Sequence, residues 1–253
     1  PDLQRLPPAP PGAAGAHLEG PFLAPDRRGA HDPNALTIPT PDAVDALLAA
    51  GDGILRQITI APELPHALDA IDAFTAAGVY VAVGHTGADH ATASAAFDRG
   101  ASLLTHAFNA MPGLGHREPG PVGAALDRGH VTLELIADGH HVHPTIIRTL
   151  FAAAPTRIAL VTDAMSAAGL GNGQYELGGL AVDVDDGKPL LHGTHTLAGS
   201  TLTMRHAVDV AIASGVPPTH AATAAASTPW RTLSSASSDV VAGARLSDLI
   251  CLT

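Results

Sequence analysis

Short apolar runs that each end in a polar residue recur along this chain, and they constrain its fold more than any other feature. One of them, at residues 158–162, is rich in β-branched side chains and ends in Asp163 and a loop punctuated by glycine. An unbroken run of this kind is typical of a parallel strand buried on both faces. Aspartate is also a common helix cap, so Asp163 alone does not identify a functional site.

The apolar runs alternate with helical patterns. Strands are predicted at residues 14–20, 54–60, 79–83, 101–105, 131–137 and 158–162. Helices are predicted at residues 40–50, 65–77, 89–99, 143–154, 201–214 and 218–227. Short turns between the two kinds of element predict parallel βαβ units and therefore an α/β fold. The alternation stops after residue 163, where residues 175–185 and 188–191 predict a hairpin around Asp185-Asp186-Gly187.

Length and composition narrow the class of protein. The chain has 253 residues, a length at which α/β barrels commonly form one domain, after a proline-rich linker or tail at residues 1–13. Hydrophobic residues make up 46% and aromatic residues 3%, so the core is predicted to be built from Ala, Val, Leu and Ile. A formal charge of −11 argues against nucleic acid or an anionic membrane as a partner. The single cysteine, Cys251, excludes an internal disulfide and suits a reducing cytoplasm, and no apolar stretch is long enough to span a membrane.

Polar side chains end several of the predicted strands: Glu19, His85, His106, His141 and Asp163. Because parallel strands place their carboxyl ends at one edge of a sheet, these side chains are expected to converge. Two histidines and a glutamate with an open fourth position are typical of catalytic zinc, which lowers the pKa of a bound water towards ~7 and polarises a carbonyl. The carboxylate of Asp163 could then accept the proton of that water molecule. With 15 histidines in the chain, some also fall at strand ends by chance, as hydrogen-bonded core or loop residues.

Two further features have structural interpretations. Glu63 also follows a strand, and a carboxylate before a helix stabilises the helix start, so a structural role is predicted there. His192 and His195 flank a turn and have the spacing of two metal ligands. A metal-binding role is therefore an alternative to the interpretation that they are ordinary surface histidines.

Seven stretches resemble the N-acetylglucosamine-6-phosphate deacetylases of the amidohydrolase superfamily, and they follow one another in the order of that family along almost the whole chain. They are HLEGPF (17–22), GHTGA (84–88), THAFNAM (105–111), REPG (117–120), IADGHHVHP (136–144), VTDAMSAAG (161–169) and LAGSTLTM (197–204).

The resemblance implies a role for each matching residue. Glu19, His85 and His106 would be the metal ligands, Asp163 the general base and then acid, and His31 a contact of the acetamide carbonyl.

The remaining roles that it implies concern the substrate. Asn109 and Ala110 would meet the phosphate, Arg117 and His141 would hold it, and Leu197 would line the sugar pocket. Arg117 and His141 are expected to reach the site from the partner of a homodimer. Arginine and backbone donors are what a phosphate needs in an acidic protein.

The resemblance also implies a (β/α)8-type barrel of the amidohydrolase superfamily. The family's opening β-domain and its H-x-H strand are not visible here, so the first two strands are expected to be absent and the barrel incomplete. A mononuclear site remains complete without that strand. Residues 14–235 are then a partial catalytic barrel, and residues 236–253, with Ser247-Asp248-Leu249-Ile250, a segment that returns to the remnant of a small β-domain.

The expected activity is metal-dependent hydrolysis of N-acetyl-D-glucosamine 6-phosphate to D-glucosamine 6-phosphate and acetate in the cytoplasm. The expected cofactor is one divalent metal per chain, zinc first, with iron, cobalt and manganese also suited to these ligands. Two alternatives stay open. One is a catalytically silent homologue that binds a phosphosugar or a partner subunit, and the other is an amidohydrolase that acts on another N-acetyl substrate.

Overall fold

The computed structural model describes residues 14–233, which fall into two compact units. The first comprises residues 14–28 and 33–131, and the second comprises residues 29–32 and 132–233. The predicted linker at residues 1–13, the return segment at residues 236–253 and Cys251 lie outside the described residues.

The first unit contains parallel strands alternating with helices. Its strands are β1 (Ala16–Glu19), β2 (Leu55–Ile60), β3 (Tyr80–Val83) and β4 (Leu103–Leu104), and its helices are α1 (Pro41–Ala50), α2 (Ala67–Ala76), α3 (His90–Asp98) and α4 (Gly120–Leu126). Each strand pairs in parallel with the next, so that Glu19 lies opposite Thr59, and Val83 lies opposite Leu104. The carboxyl ends of these strands therefore share one edge of the sheet.

Local sequence signals determine where two of these helices begin. Pro41 opens α1, where the hydroxyl of Thr40 accepts the N–H of Ala43, and the carboxylate of Asp89 accepts the N–H of Thr92 at the start of α3. The core of this unit is mainly aliphatic, as the composition predicts, with few rings. Phe22 and Phe74 pack against each other with ring centroids 6.4 Å apart.

The second unit combines a parallel strand pair, four helices and a small antiparallel sheet. The parallel strands are β5 (Thr132–Leu135) and β6 (Ile158–Leu160), and the antiparallel strands are β7 (Gly173–Leu177), β8 (Leu180–Asp185) and β9 (Lys188–Leu191). The helices are α5 (Pro144–Ala153), α6 (Met204–Ala213), α7 (Pro218–Ala225) and α8 (Ser227–Leu233). The small sheet packs through Val182 and Val184 against Met165, Ala167 and Ala198.

The structure changes several predicted boundaries. The prediction of a single strand at residues 175–185 is wrong, because Gly178 and Gly179, with φ values of 57° and 84°, turn the chain between β7 and β8. The helix α4 was not predicted, since its sequence GPVGAAL contains two glycines and a proline; its buried packing against α3 overrides those weak propensities. In residues 14–233 no helix combines the length and the apolar character that crossing a membrane requires.

Candidate functional site

Three strand ends of the first unit bring their side chains together. Glu19 ends β1, while His85 and His106 each lie two residues beyond β3 and β4. The Nε2 atom of His106 lies 3.0 Å from Oε1 of Glu19 and 3.0 Å from Nε2 of His85, and His85 Nε2 lies 3.2 Å from the same glutamate oxygen. Within residues 14–233 this is the group of three side chains that could hold a metal ion.

The surroundings of His85 suit a metal ligand. Its Nδ1–H donates to the main-chain carbonyl of Arg27 at 2.8 Å, and its own carbonyl accepts the N–H of Ala24 at 3.0 Å. Because a carbonyl only accepts hydrogen bonds, the proton of the neutral ring is on Nδ1 and the lone pair is on Nε2, which faces Glu19 and His106. The donor set, two imidazoles and one carboxylate, fits a divalent ion such as zinc.

The ionised state of Glu19 also suits a metal ligand. Burial raises the pKa of the Glu19 carboxyl, but His106 and His85, which when doubly protonated donate hydrogen bonds from Nε2 and carry positive charge, outweigh burial and hold the pKa well below its usual range. The carboxylate is therefore ionised at neutral pH, as a metal ligand must be.

Three residues that follow strands have strained backbone conformations. His85, His106 and Asp163 have φ values of 47°, 27° and 50°, in the left-handed region that residues other than glycine rarely adopt. Such conformations persist only where the surrounding structure enforces them, and they concentrate at functional sites. The surroundings of His85, His106 and Asp163 therefore enforce the conformations of these three residues.

The segment that follows His85 is held by a glutamate. The hydroxyl of Thr86 donates to Oε2 of Glu63 and the N–H of Gly87 donates to Oε1, each at 2.5 Å. Helix α2 begins only at Ala67, so Glu63 acts on this neighbouring loop rather than on the helix start that the sequence suggested. Sequence reasoning missed this contact because it joins two loops 23 residues apart.

A close approach explains the glycine before His85. The hydroxyl of Thr59 lies 2.8 Å from Nε2 of His17 and 2.8 Å from the hydroxyl of Thr105, which links β1, β2 and the end of β4. A Cβ atom on Gly84 would lie 2.8 Å from side-chain carbons of both threonines. Glycine at this position therefore allows the loop with His85 to lie against the sheet.

The predicted phosphate contacts of the first unit lie in the loop after His106. The side-chain amide of Asn109 donates to the carbonyls of His106 and Ala107 at 3.1 and 3.3 Å, and the carbonyl of Ala110 accepts the N–H of Thr86 at 3.1 Å. Arg117 is exposed, with its guanidinium 2.9 Å from the ring of His116. Asn109 and Ala110 are thus fixed to the metal-ligand loops, whereas Arg117 extends into solvent.

In the second unit the structure brings Asp163 beside the segment of Leu197. The N–H of Ser200 donates to the carbonyl of Asp163 at 2.7 Å, and the hydroxyl of Ser200 donates to the carbonyl of Thr162. Gly199 has φ 62°, and a Cβ atom there would lie 3.0 Å from the same Asp163 carbonyl. The Asp163 side chain is exposed at this strand end.

The two remaining predicted residues also lie in the second unit. His31 is half-buried beside Ala30, which packs on the core of the small sheet. His141 is buried and its ring is paired with Asp138, a residue to which sequence reasoning gave no role although it ends the same predicted strand. His192 is bonded to Asp183 at 2.7 Å on the surface of the antiparallel sheet.

Comparison with known proteins gives consistent relatives, although no protein-family model matches the chain. It is 44% identical over 200 residues to the N-acetylglucosamine-6-phosphate deacetylase of Bos taurus, covering 76% of this chain and 49% of the relative. It is 42% identical over 220 residues to the N-acetylgalactosamine-6-phosphate deacetylase of Escherichia coli O157:H7, covering 87% of this chain and 58% of the relative. The chain thus spans about half the length of the curated relatives it matches.

Solved structures give the same picture. The chain superposes with a TM-score of 0.84, at 44% identity, on an aspartate-to-alanine mutant of the Mycobacterium smegmatis N-acetyl-D-glucosamine-6-phosphate deacetylase in complex with N-acetyl-D-glucosamine-6-phosphate, over 87% of this chain and 59% of that one. The N-acetylglucosamine-6-phosphate deacetylase of Pasteurella multocida matches with a TM-score of 0.82 at 32% identity, over 91% of this chain and 60% of that one.

Proposed function

We propose that the chain belongs to the family of the N-acetylglucosamine-6-phosphate deacetylases, to members of which it is 41–44% identical, and that it hydrolyses N-acetyl-D-glucosamine 6-phosphate to D-glucosamine 6-phosphate and acetate. The observation that carries this proposal is the convergence of Glu19, His85 and His106, with His85 anchored through Nδ1. A site of this kind is suited to the hydrolysis of an amide.

Glu19, His85 and His106 would hold one divalent metal per chain, zinc first, with iron, cobalt and manganese as further candidates. When bound, the metal would polarise the acetamide carbonyl and lower the pKa of a water molecule. The carbonyl of Arg27 and the carboxylate of Glu63 would keep His85 and its loop in the ligand geometry.

Asp163 would move the proton. Its carboxylate accepts a proton from the water that attacks the carbonyl carbon, and then gives that proton to the nitrogen as the carbon–nitrogen bond breaks. The exposure of Asp163 at a strand end and the hydrogen bond on its carbonyl support a fixed, accessible carboxylate. His31 would donate a hydrogen bond to the acetamide oxygen, on which negative charge develops.

Asn109 and Ala110 would contact the phosphate, and Arg117 and His141 would hold it. Leu197 would line the sugar pocket. The chain carries a formal charge of −11, so an anionic substrate needs such local donors. We propose that the protein is a homodimer in which the loop with the exposed Arg117 reaches the site of the partner. We also place the protein in the cytoplasm, because a single cysteine suits a reducing compartment.

We further propose that the parallel strands form part of a (β/α)8-type barrel of the amidohydrolase superfamily. Four consecutive parallel strands in the first unit and the superposition on solved deacetylases support this architecture. A crystal structure in which the parallel strands do not form part of a closed barrel would contradict this proposal.

The test combines metal analysis with an assay of free amine released from three substrates: N-acetylglucosamine 6-phosphate, N-acetylgalactosamine 6-phosphate and unphosphorylated N-acetylglucosamine. We expect about one metal per chain and turnover that depends on the phosphate. A folded sample without metal and without turnover would favour a catalytically silent homologue. Turnover of the galactosamine derivative alone would assign a different sugar.

A further inference from the structure

One buried aspartate–histidine pair follows β5, outside the group that would hold the metal. The chain turns at Gly139, which has φ 81°, and the side chains of Asp138 and His141 are only 7% and 5% exposed. Oδ1 of Asp138 accepts the N–H groups of His140 and His141 at 2.8 Å each, and Oδ2 accepts Nδ1–H of His141 at 2.6 Å. One carboxylate therefore fixes both the main chain and the ring of His141.

The Asp138 carboxylate also fixes the position of the ring proton. A carboxylate accepts but does not donate hydrogen bonds, so the His141 proton lies on Nδ1, and a second proton can bind only at Nε2. Burial raises the pKa of Asp138, but the hydrogen bonds from His141 and His140 lower it to about 2, so the carboxylate is ionised at neutral pH. The carboxylate thus occupies the Nδ1 side of the ring and leaves Nε2 as the ring atom that can meet a ligand.

Other aspartate–histidine pairs in residues 14–233 differ in their surroundings. His192 and Asp183 are 61% and 41% exposed at a distance of 2.7 Å, and His90 and Asp127 are also accessible. An exposed pair contributes little, whereas a buried pair costs desolvation free energy that apolar residues would not. Among these three pairs, Asp138–His141 alone combines burial with a carboxylate that accepts three hydrogen bonds, one of them from the histidine ring.

We propose that Asp138 is a positioning residue for phosphate selectivity, because it orients His141 so that Nε2 forms a hydrogen bond with the sugar phosphate. The inference rests on the proposed function, in which His141 contacts the phosphate. The proton at Nε2 comes from solvent or from the monoprotonated phosphate itself, and no bond other than N–H or O–H changes. Asp138 thus selects phosphorylated over unphosphorylated sugars without touching either.

The variant Asp138→Asn tests this role. Its amide oxygen still accepts the two main-chain N–H groups, but its NH2 group donates to Nδ1 of His141, which removes the negative charge and moves the ring proton to Nε2 of a neutral ring. We expect KM for N-acetylglucosamine 6-phosphate to rise roughly 10–100-fold, the range of a charge-assisted hydrogen bond, with kcat changed less than about twofold. The kcat/KM for unphosphorylated N-acetylglucosamine is expected to stay the same.

Asp183→Asn is the matched control, since it makes the same change in the exposed pair with His192. It should leave both substrates unaffected. An equal loss for both substrates in Asp138→Asn, or no loss for either, would overturn the inference.

Two measurements separate this inference from the proposed function. Calorimetry with glucosamine 6-phosphate and with glucosamine measures binding without turnover, and nitrogen-15 NMR of the histidine rings reports which nitrogen of His141 carries the proton. A wild-type chain that binds neither sugar rejects the proposed function. A wild-type chain that prefers the phosphosugar but has the His141 proton on Nε2 alone rejects only the role of Asp138.

Discussion

Asp163 is the residue on which turnover is proposed to depend most. It lies in the second unit, whereas Glu19, His85 and His106 lie in the first, so its removal leaves the three ligands in place. We expect Asp163→Asn to lower kcat by about 10²–10⁴-fold, because an amide cannot accept the water proton, while the metal content stays at the wild-type level. Amine release and elemental analysis of the same sample check both statements.

The surface variant Asp183→Asn is the control for Asp163→Asn, since it removes a carboxylate of the same unit from the small sheet. Turnover by Asp163→Asn at the rate of this control would reject the role of Asp163.

Asp138 also makes stability depend on pH. Its pKa is lowered from 3.8 to about 2 in the folded protein. The ionised carboxylate is therefore more stable in the folded state than in the unfolded state, and its ionisation stabilises the fold. The contribution is therefore complete above about pH 4 and is lost as the pH falls towards 2. We expect it to be about 1–2 kcal/mol, allowing for partial solvent screening.

Urea unfolding of the wild type and of Asp138→Asn at pH 6, 4 and 2.5 measures this contribution as a difference between the two free energies of unfolding. The difference should shrink as the pH falls, because the wild-type carboxylate becomes protonated. A difference that stays constant would show that Asp138 does not titrate in this range. Glu19, whose pKa is also lowered, is present in both proteins and so cancels.

At the scale of elements, the loop after β4 holds several left-handed residues. Phe108 and Ala110 have φ values of 77° and 50°, close in sequence to the candidate metal ligand His106. Glycine adopts this conformation without the roughly 1–2 kcal/mol that other residues incur, although it gains about 0.5–1 kcal/mol of chain entropy in the unfolded state. We therefore expect Ala110→Gly to stabilise the protein by about 0.5–1 kcal/mol, measured as an increase in the free energy of unfolding.

Ala46→Gly provides the contrast for that loop variant. Ala46 is exposed in the interior of α1, where glycine is about 1 kcal/mol less favourable than alanine. The two substitutions should therefore shift stability in opposite directions. Destabilisation by both would mean that Ala110 is not strained.

The elements were predictable from sequence where the pattern is local. Buried runs such as 79–83 and 158–162 predicted β3 and β6, and the residues that follow them, His85 and Asp163, lie at strand ends as expected. The contacts of Glu63 and Asp138 were not predictable, because an isolated carboxylate in a sequence does not specify which distant or turn N–H groups it accepts. The left-handed φ of His85 was equally hidden, since tertiary contacts impose it.

At the scale of the whole molecule, charge and proposed substrate have the same sign. The chain has 13 Lys and Arg residues against 24 Asp and Glu residues. Long-range attraction therefore does not favour a phosphosugar, and recognition must come from short-range hydrogen bonds at fixed donors. Asn109 is anchored to the carbonyl of His106 and His141 to Asp138, so two of the proposed phosphate contacts have fixed positions.

The position of the ligands also predicts where a metal stabilises the chain. Glu19, His85 and His106 all belong to the first unit, so a metal held by them would link the ends of β1, β3 and β4. A ligand that binds only the folded form stabilises it by about 2.7 kcal/mol at a free concentration 100 times its dissociation constant. We expect zinc to slow amide hydrogen exchange in residues 14–28 and 33–131 more than in residues 132–233, and a chelator to reverse the effect. Glu19→Gln should abolish the gain, because it removes the charged ligand. A gain that is equal in both units, or that survives in Glu19→Gln, would show that the ion binds elsewhere or that the two units unfold as one.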